Sequence, residues 1–271
     1  MKTLLLIFTL FSALNAGSWR GFVADIKNEA YRREKAIEEL KPMAQLPFVQ
    51  QNEVSEQANL PVPFAMQAPF SDWAMPYQEA CEEAVLILTS KYFNNEKVDK
   101  KIMKKEISSL IEWENKKFGL FTDTNLNEIQ IMAEEYFKLE TKIDDDVSIA
   151  NIKKQLSAGN LVLAPAAGRE LKNPFFKQPG PLYHLLLIRG YEDDNFIVND
   201  VGIGRGFGYK YKMQTLINAI HDLPLAEDGT IFRPYDEKVD DVIKVSKMKE
   251  GKKRILIVSG RLTKIKESIK L

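Results

Sequence analysis

Four residues of this chain carry side chains suited to acyl transfer, and the first is its only cysteine, Cys81. The run that follows it, "AVLILTSKYF", predicts a helix. Unpaired backbone N–H groups and the dipole at a helix start stabilise a thiolate, so a first-turn cysteine can have a lowered pKa and act as a nucleophile. Glu82 and Glu83 would oppose a thiolate unless they point away. The alternative is an inert core thiol, because Cys81, Val85 and Leu88 share one helical face.

A nucleophilic thiol needs a base, and the chain offers two histidines. His184 begins "HLLLIRGY", which predicts a buried strand, and an imidazole at that place needs a partner for its second nitrogen. His221 follows a predicted helix, where a positive charge suits the helix dipole, so we interpret it as structural. His184 is therefore the candidate base.

Asp200 can orient His184 through the hairpin predicted in "YHLLLIRGYEDDNFIVND". If the turn is centred near Glu192, the two residues lie eight positions on either side of it and face each other. A tighter turn at the "DD" that follows would slip the register by one and direct Asp200 to the other face. Asn199 would then be the alternative orienting group.

Acyl transfer also needs hydrogen-bond donors for the developing oxyanion. Gln67 directly follows "VPFAM", a stretch that predicts a strand. Its side-chain amide and the Cys81 backbone N–H are the candidate donor pair. A lone glutamine is otherwise an ordinary surface residue. With it, the order cysteine, histidine, aspartate predicts an acyl-transfer triad of Cys81, His184 and Asp200.

Other chemistries have less support in the sequence. Two distant histidines and one cysteine lack the close spacing of zinc ligands. The glycine-rich "VGIGRGFGYKY" matches neither the dinucleotide fingerprint nor the Walker A loop, and we interpret it as a flexible loop beside Asp200 that lines a groove. We expect neither a metal nor a cofactor.

Composition indicates a globular protein and argues against a nucleic-acid partner. The 271 residues are 45% hydrophobic and 28% charged, with 38 basic residues against 38 acidic ones. This balance provides no field to steer a polyanion, and the clusters "KKIMKK" and "KEGKKR" are short.

The first 18 residues have the layout of a secretory signal peptide: one lysine, an apolar run from Leu4 to Leu14, and then small residues. We expect export, to a secreted or extracytoplasmic location. A membrane anchor is the alternative if the signal stays uncleaved, although the run is short beside the roughly 20 residues of a bilayer span. A single cysteine allows no internal disulfide after export.

The chain divides into a signal (1–18), a spacer (19–59), a domain (60–262) and a basic tail (263–271). The spacer combines a helix and a proline-containing linker, and a pro-segment is the alternative. The domain begins with helices and ends with strands, which predicts the α+β class. The predicted helices are 78–93, 98–117, 125–140, 147–158 and 213–222, and the predicted strands are 160–165, 183–191, 195–200 and 254–260.

Two stretches resemble the C-39-like cysteine peptidases of the papain clan. "VPFAMQAPFSDWAMPYQEACEEA" resembles the family's strand, oxyanion glutamine and nucleophile helix, and "NPFFKQPGPLYHLLLIRGYEDDNFIVNDVGIGRG" resembles its histidine strand and following aspartate. The strings "QAP", "CEEA" and "GPLYH" resemble motifs carried by a subgroup of exported bacterial proteins. "NDVG" replaces the common "NDPG", and the gap from Gln67 to Cys81 is longer than in much of the family.

This resemblance implies a papain-like α+β fold, with a nucleophile helix in an N-terminal helical half packed on an antiparallel sheet. It implies catalytic roles for Cys81, His184, Asp200 and Gln67, without metal or cofactor. The predicted function is that of an exported thiol hydrolase, a cysteine peptidase acting on peptide or isopeptide bonds of a peptide or protein substrate. The alternatives are a non-catalytic peptide-binding module, an acyl transferase and a cell-wall peptide hydrolase.

Overall fold

The computed structural model describes residues 54–235 and 238–262. The predicted signal peptide, the spacer up to residue 53 and the basic tail lie outside the described residues. Within the described ranges, none of the helices combines the length and the apolar character that a bilayer crossing requires.

Helices fill the first half of the described chain, as the sequence predicts. Asp99 caps the second of them by accepting from the backbone N–H groups of Lys101 and Ile102, and Asn125 and Glu128 form a capping box on the third. The helices are α1 (Cys81–Phe93), α2 (Lys100–Lys117), α3 (Leu126–Ile131), α4 (Ile149–Ser157), α5 (Met213–Ala219) and α6 (Asp241–Met248).

The strands of the described residues form one antiparallel sheet. They are β1 (Ala58–Asn59), β2 (Leu139–Asp144), β3 (Leu161–Ala167), β4 (Tyr183–Glu192), β5 (Asn195–Asn199), β6 (Tyr209–Lys212) and β7 (Ile255–Arg261). Their order across the sheet is β2–β7–β3–β4–β5–β6, and the short β1 pairs with β4. β4, which carries His184, is thus bordered by β3 and β5 at the centre of the sheet.

Both faces of the central strands are covered by helices. Side chains along a strand alternate between the faces, and in β4 Leu185 and Leu187 pack with α1 while Leu186 and Ile188 pack with α4 and α5. This explains why the histidine strand is a continuous apolar run. The α+β class and the packing of the helix that begins at Cys81 on an antiparallel sheet are confirmed.

Three predicted elements differ from the structure. Residues 62–66 form no strand, because Pro63 has no N–H for a ladder. The helix predicted over 125–140 ends in a π turn at Met132–Tyr136, and Lys138 then adopts a left-handed φ of 56° ahead of β2. The helix predicted over 213–222 ends at Ala219. The sequence patterns also did not predict β1, β2, β6 or α6.

The β4–β5 hairpin has the tight turn that was expected to misdirect Asp200. Glu192 pairs with Asn195, so Asp193 and Asp194 form the turn. A bulge between Ile188 and Gly190 adds one residue to β4 and shifts the register a second time. The tight turn alone would place Asp200 opposite Leu187, whereas the bulge places it opposite Leu186. Leu186 is two residues from His184, so Asp200 lies on the face of His184.

α1 and α2 meet through two buried carboxyl groups, those of Glu83 and Glu114. Both residues are fully buried, and within the described residues no nitrogen or hydroxyl donor reaches their oxygens. Burial raises the pKa of both groups. The charge of Glu114 raises the pKa of Glu83 further, and the pKa of Glu114 itself rises to about 9. The two groups are therefore protonated near neutral pH, and a proton on one hydrogen-bonds to the other.

This pair is expected to make the protein less stable as the pH rises. A carboxyl group that keeps its proton in the folded state and loses it on unfolding lowers the free energy of unfolding by about 1.4 kcal/mol per pH unit. The decline should run from the ordinary glutamate pKa of 4.5 to the Glu114 pKa of about 9. Urea unfolding at several pH values measures it, and Glu114→Gln should flatten the curve. Stability that is constant or rises with pH over this range would contradict the assignment.

Candidate active site

Cys81 is the first residue of α1, and it lies at the wall of a cleft of ≈ 790 Å³. A short 3-10 turn at Tyr77–Glu79 precedes it, and the N-cap residue Ala80 provides no side-chain cap. The start of α1, with its unpaired N–H groups, therefore lies at the cleft. The lining includes Gln67, Glu82 and His184 beside Cys81.

The Cys81 thiol is held by its neighbour in sequence. Its Sγ donates a hydrogen bond to Glu82 Oε2 at 2.9 Å, and both side chains are buried. Burial, followed by the charge and hydrogen bond of Glu82, raises the pKa of Cys81 well above its usual range. The lowered pKa expected from the first-turn position is thus wrong for this state of the protein, because burial and the adjacent carboxyl outweigh the helix dipole.

The structure brings His184 and Asp200 together. His184 Nε2 and Asp200 Oδ1 are 2.8 Å apart, and both residues are buried. Asp200 Oδ1 also accepts from the backbone N–H of Gly202 at 3.1 Å. The Phe176 ring and the imidazole pack at nearly a right angle, with 5.4 Å between ring centroids. These contacts fix the imidazole plane and leave Nδ1 as the nitrogen available to a thiol.

Two residues absent from the sequence-based site hold the other oxygen of Asp200. Oδ2 accepts from the Tyr211 hydroxyl at 2.7 Å and from Asn173 Nδ2 at 3.2 Å. Burial alone would raise the pKa of Asp200, but the His184 charge and hydrogen bonds from His184, Tyr211 and Gly202 lower it below its usual value. Asp200 is therefore a carboxylate at neutral pH. The one sequence signal for Tyr211 is the alternation of tyrosine and lysine in "YKYK" of β6, which predicts that the tyrosines face the protein interior.

Gln67 lines the cleft, but its amide hydrogens have other acceptors. Nε2 donates to the carbonyl oxygens of Tyr77 at 3.0 Å and Gln78 at 3.2 Å. This amide orientation is the one that satisfies the two carbonyls. Gln67 thus fastens the turn ahead of Cys81, and its oxyanion role stays a prediction.

The two residues considered as alternatives lie elsewhere. His221 Nδ1 is 2.9 Å from the Gly251 carbonyl oxygen, and burial lowers its pKa. Asn199 donates to the Pro63 carbonyl and accepts from the Gly208 N–H. Neither is among the described residues that line the cleft.

Aromatic side chains and the glycine-rich loop form the walls of the cleft. Trp73, Phe175 and Tyr235 line it while remaining about half exposed. Gly202 and Gly204 line it from the loop after Asp200, as the sequence predicts. A cleft with apolar walls and a few convergent polar groups is typical of a binding site for an organic substrate.

Comparison with known proteins gives a family match and a similar solved structure. The model of a family described as "Peptidase_C39 like family" matches residues 57–219, which is more than half of the chain. No curated protein matches the chain. Among solved structures, one described as a C39-like peptidase from Bacillus anthracis is 15% identical, with 76% of this chain and 99% of that chain covered and a TM-score of 0.41. On the family match, the chain belongs to the Peptidase_C39-like family.

Proposed function

We propose that this protein is a cysteine peptidase in which Cys81 is the nucleophile, His184 the general base and Asp200 the group that orients the base. The observation that carries the proposal is the buried His184–Asp200 hydrogen bond of 2.8 Å in a cleft that Cys81 also lines. Family membership supports a function of the cysteine-peptidase type. The assignment of roles rests on the geometry of these three side chains.

The proposed reaction uses the nitrogen of His184 that Asp200 leaves available. Nδ1 takes the Cys81 proton, the sulfur attacks the substrate carbonyl carbon, and the protonated imidazole then gives its proton to the leaving amine. Water hydrolyses the thioester and restores the thiol. The Cys81 N–H has no acceptor within its helix, which makes it a donor for the oxyanion. Gln67 would contribute only after its amide leaves the Tyr77 and Gln78 carbonyls.

The substrate class follows from the cleft. An extended peptide presents its carbonyl to the helix start while its side chains pack on Trp73 and Phe175. The signal-like layout of residues 1–18 supports an activity outside the cytoplasm. We therefore propose an exported enzyme that acts on peptides or proteins.

Covalent labelling tests this function. A peptidyl epoxide should modify wild-type protein at Cys81, as mapped by mass spectrometry, and Cys81→Ser should remain unlabelled. His184→Ala should label at least about tenfold more slowly, because the base is lost. Equal labelling of the His184→Ala variant, or a broad peptide library left intact by wild-type protein, would contradict the peptidase proposal.

A peptide-binding module without turnover is the second candidate. One observation favours it: the thiol hydrogen-bonds to Glu82, an acceptor that stabilises the protonated sulfur. Such a module would retain particular library peptides and release them unchanged, with equal retention by the Cys81→Ser variant. Products that appear only with an intact Cys81 decide for the peptidase.

A further inference from the structure

Glu82 is a buried carboxyl group in direct contact with the candidate nucleophile. Only 1% of its surface is exposed, yet it lines the cleft. Its two oxygens have separate partners. Oε2 accepts from Cys81 Sγ at 2.9 Å, and Oε1 accepts from the Thr124 backbone N–H at 2.9 Å. A glutamate beside the nucleophile is thus built into the site, and the proposed mechanism gives it no role.

The Thr124 N–H is held in place by the loop ahead of α3. The Tyr183 hydroxyl donates to the Thr124 carbonyl oxygen at 2.9 Å, and Tyr183 is the residue before His184. Asp123 has a left-handed φ of 48°, and Asn125 begins α3 as its N-cap. Glu82 is therefore fixed between α1, which carries the nucleophile, and a loop tied to the histidine strand.

We propose that Glu82 is a positioning residue that holds the Cys81 sulfur in place and keeps its proton on it in the substrate-free protein. This inference rests on the proposed function for its relevance to catalysis, but it concerns only the two side chains. The peptidase would thus rest in a state of low thiol reactivity, and the thiol hydrogen must move from Glu82 to His184 before attack.

The order of proton loss explains the effect. Burial and the neighbouring Glu83 raise the pKa of Glu82, and burial and Glu82 raise the pKa of Cys81 from a higher ordinary value. The carboxyl group therefore remains the stronger acid, and the first negative charge of the pair is on Glu82. The thiol must then ionise against a carboxylate 2.9 Å away in a buried site. Other groups that face the pair act in the same direction or are neutral near pH 7. They are Glu83 on α1, Asp123 in the loop before α3, and Tyr183 beside the candidate base His184.

Glu82→Gln reverses the polarity of the contact without changing its shape. The amide oxygen can still accept from Thr124, while the amide nitrogen donates to the sulfur and carries no charge. We expect iodoacetamide to alkylate the variant at least about tenfold faster than wild type at pH 7, with the pH profile displaced to lower pH. An unchanged or slower rate in a folded variant would overturn the proposal.

Glu83→Gln is the matched control, because Glu83 is equally buried in the same helix and makes no hydrogen bond to the thiol. Its alkylation rate should stay within about threefold of wild type. If Glu82→Gln does not fold, the wild-type profile still decides: half-maximal alkylation at or below about pH 8.5, the value of an ordinary cysteine, contradicts the proposal. Alkylation requires no turnover, so failure to cleave peptides would reject the peptidase function and leave this result standing.

Discussion

Asp200→Ala is expected to lower kcat/KM for peptide cleavage by about 100- to 10,000-fold, the range typical of positioned acid–base groups. Without the carboxylate, the buried His184 Nε2 loses its 2.8 Å partner, and the imidazole loses both its fixed orientation and the charge that stabilises its protonated form. Steady-state kinetics on a peptide found by library profiling measures the loss.

The amide variant separates orientation from charge. In Asp200→Asn, the side-chain oxygen can still accept from His184 and Gly202, while the amide nitrogen faces Tyr211 and Asn173. The hydroxyl of Tyr211 can turn to accept from it, but the contact with Asn173 is lost. We expect an intermediate loss of about tenfold, because the hydrogen bond remains and the charge does not.

Asp222→Asn is the control for a purely structural aspartate. Asp222 is as buried as Asp200, but it pairs with Arg254 and with the backbone N–H groups of Leu126 and Leu223. This variant should lower the free energy of unfolding and leave the kcat/KM of the folded protein unchanged. If Asp200→Ala behaved in the same way, with activity lost only in proportion to unfolded protein, Asp200 would have no place in the mechanism.

The sequence predicts which candidate residues lie near the cleft better than it predicts how they meet. Local patterns identify α1, β4 and β5, and the family-like strings identify Cys81 and His184. The contact with Asp200 depends on the bulge in β4, whose extra residue, Arg189, donates to the Val62 carbonyl and to Asn59. These partners lie about 130 residues earlier in the chain. A local reading of the hairpin therefore cannot locate the bulge.

The ionisation of the Cys81 thiol also cannot be predicted from a local sequence pattern. The rule for first-turn cysteines predicts a lowered pKa, but it does not include the burial of Cys81 or the rotamer that directs Glu82 at the sulfur. Asn173 and Tyr211 cannot be recognised from local patterns either. Both donate to the Asp200 carboxylate, which lies 27 and 11 residues away from them in the chain. Propensity determines elements, whereas side-chain direction and long-range packing determine the chemistry of a site.

The second large effect is expected at Gly206, in the loop that follows Asp200. A Cβ at this position would lie 1.7 Å from the Asp200 carbonyl oxygen, which is an atom of the backbone and cannot turn aside. The loop is also closed by the Asp200 N–H, which donates to the Gly206 carbonyl at 2.9 Å. We expect Gly206→Ala to lower the free energy of unfolding by about 3 kcal/mol or more. In protein that still folds, displacement of Asp200 should reduce kcat/KM by about 100-fold.

Gly204→Ala is the matched control within the same loop. Its Cβ would meet only Met66 Sδ, at 3.8 Å, which is an ordinary contact. Urea unfolding and peptide kinetics should therefore show nearly wild-type stability for Gly204→Ala, with any change confined to KM because this glycine lines the cleft. If the two substitutions changed stability and kcat/KM equally, the close approach at Gly206 would have no special role. A loss restricted to Gly206 means that the close approach of two backbone segments holds Asp200 against His184.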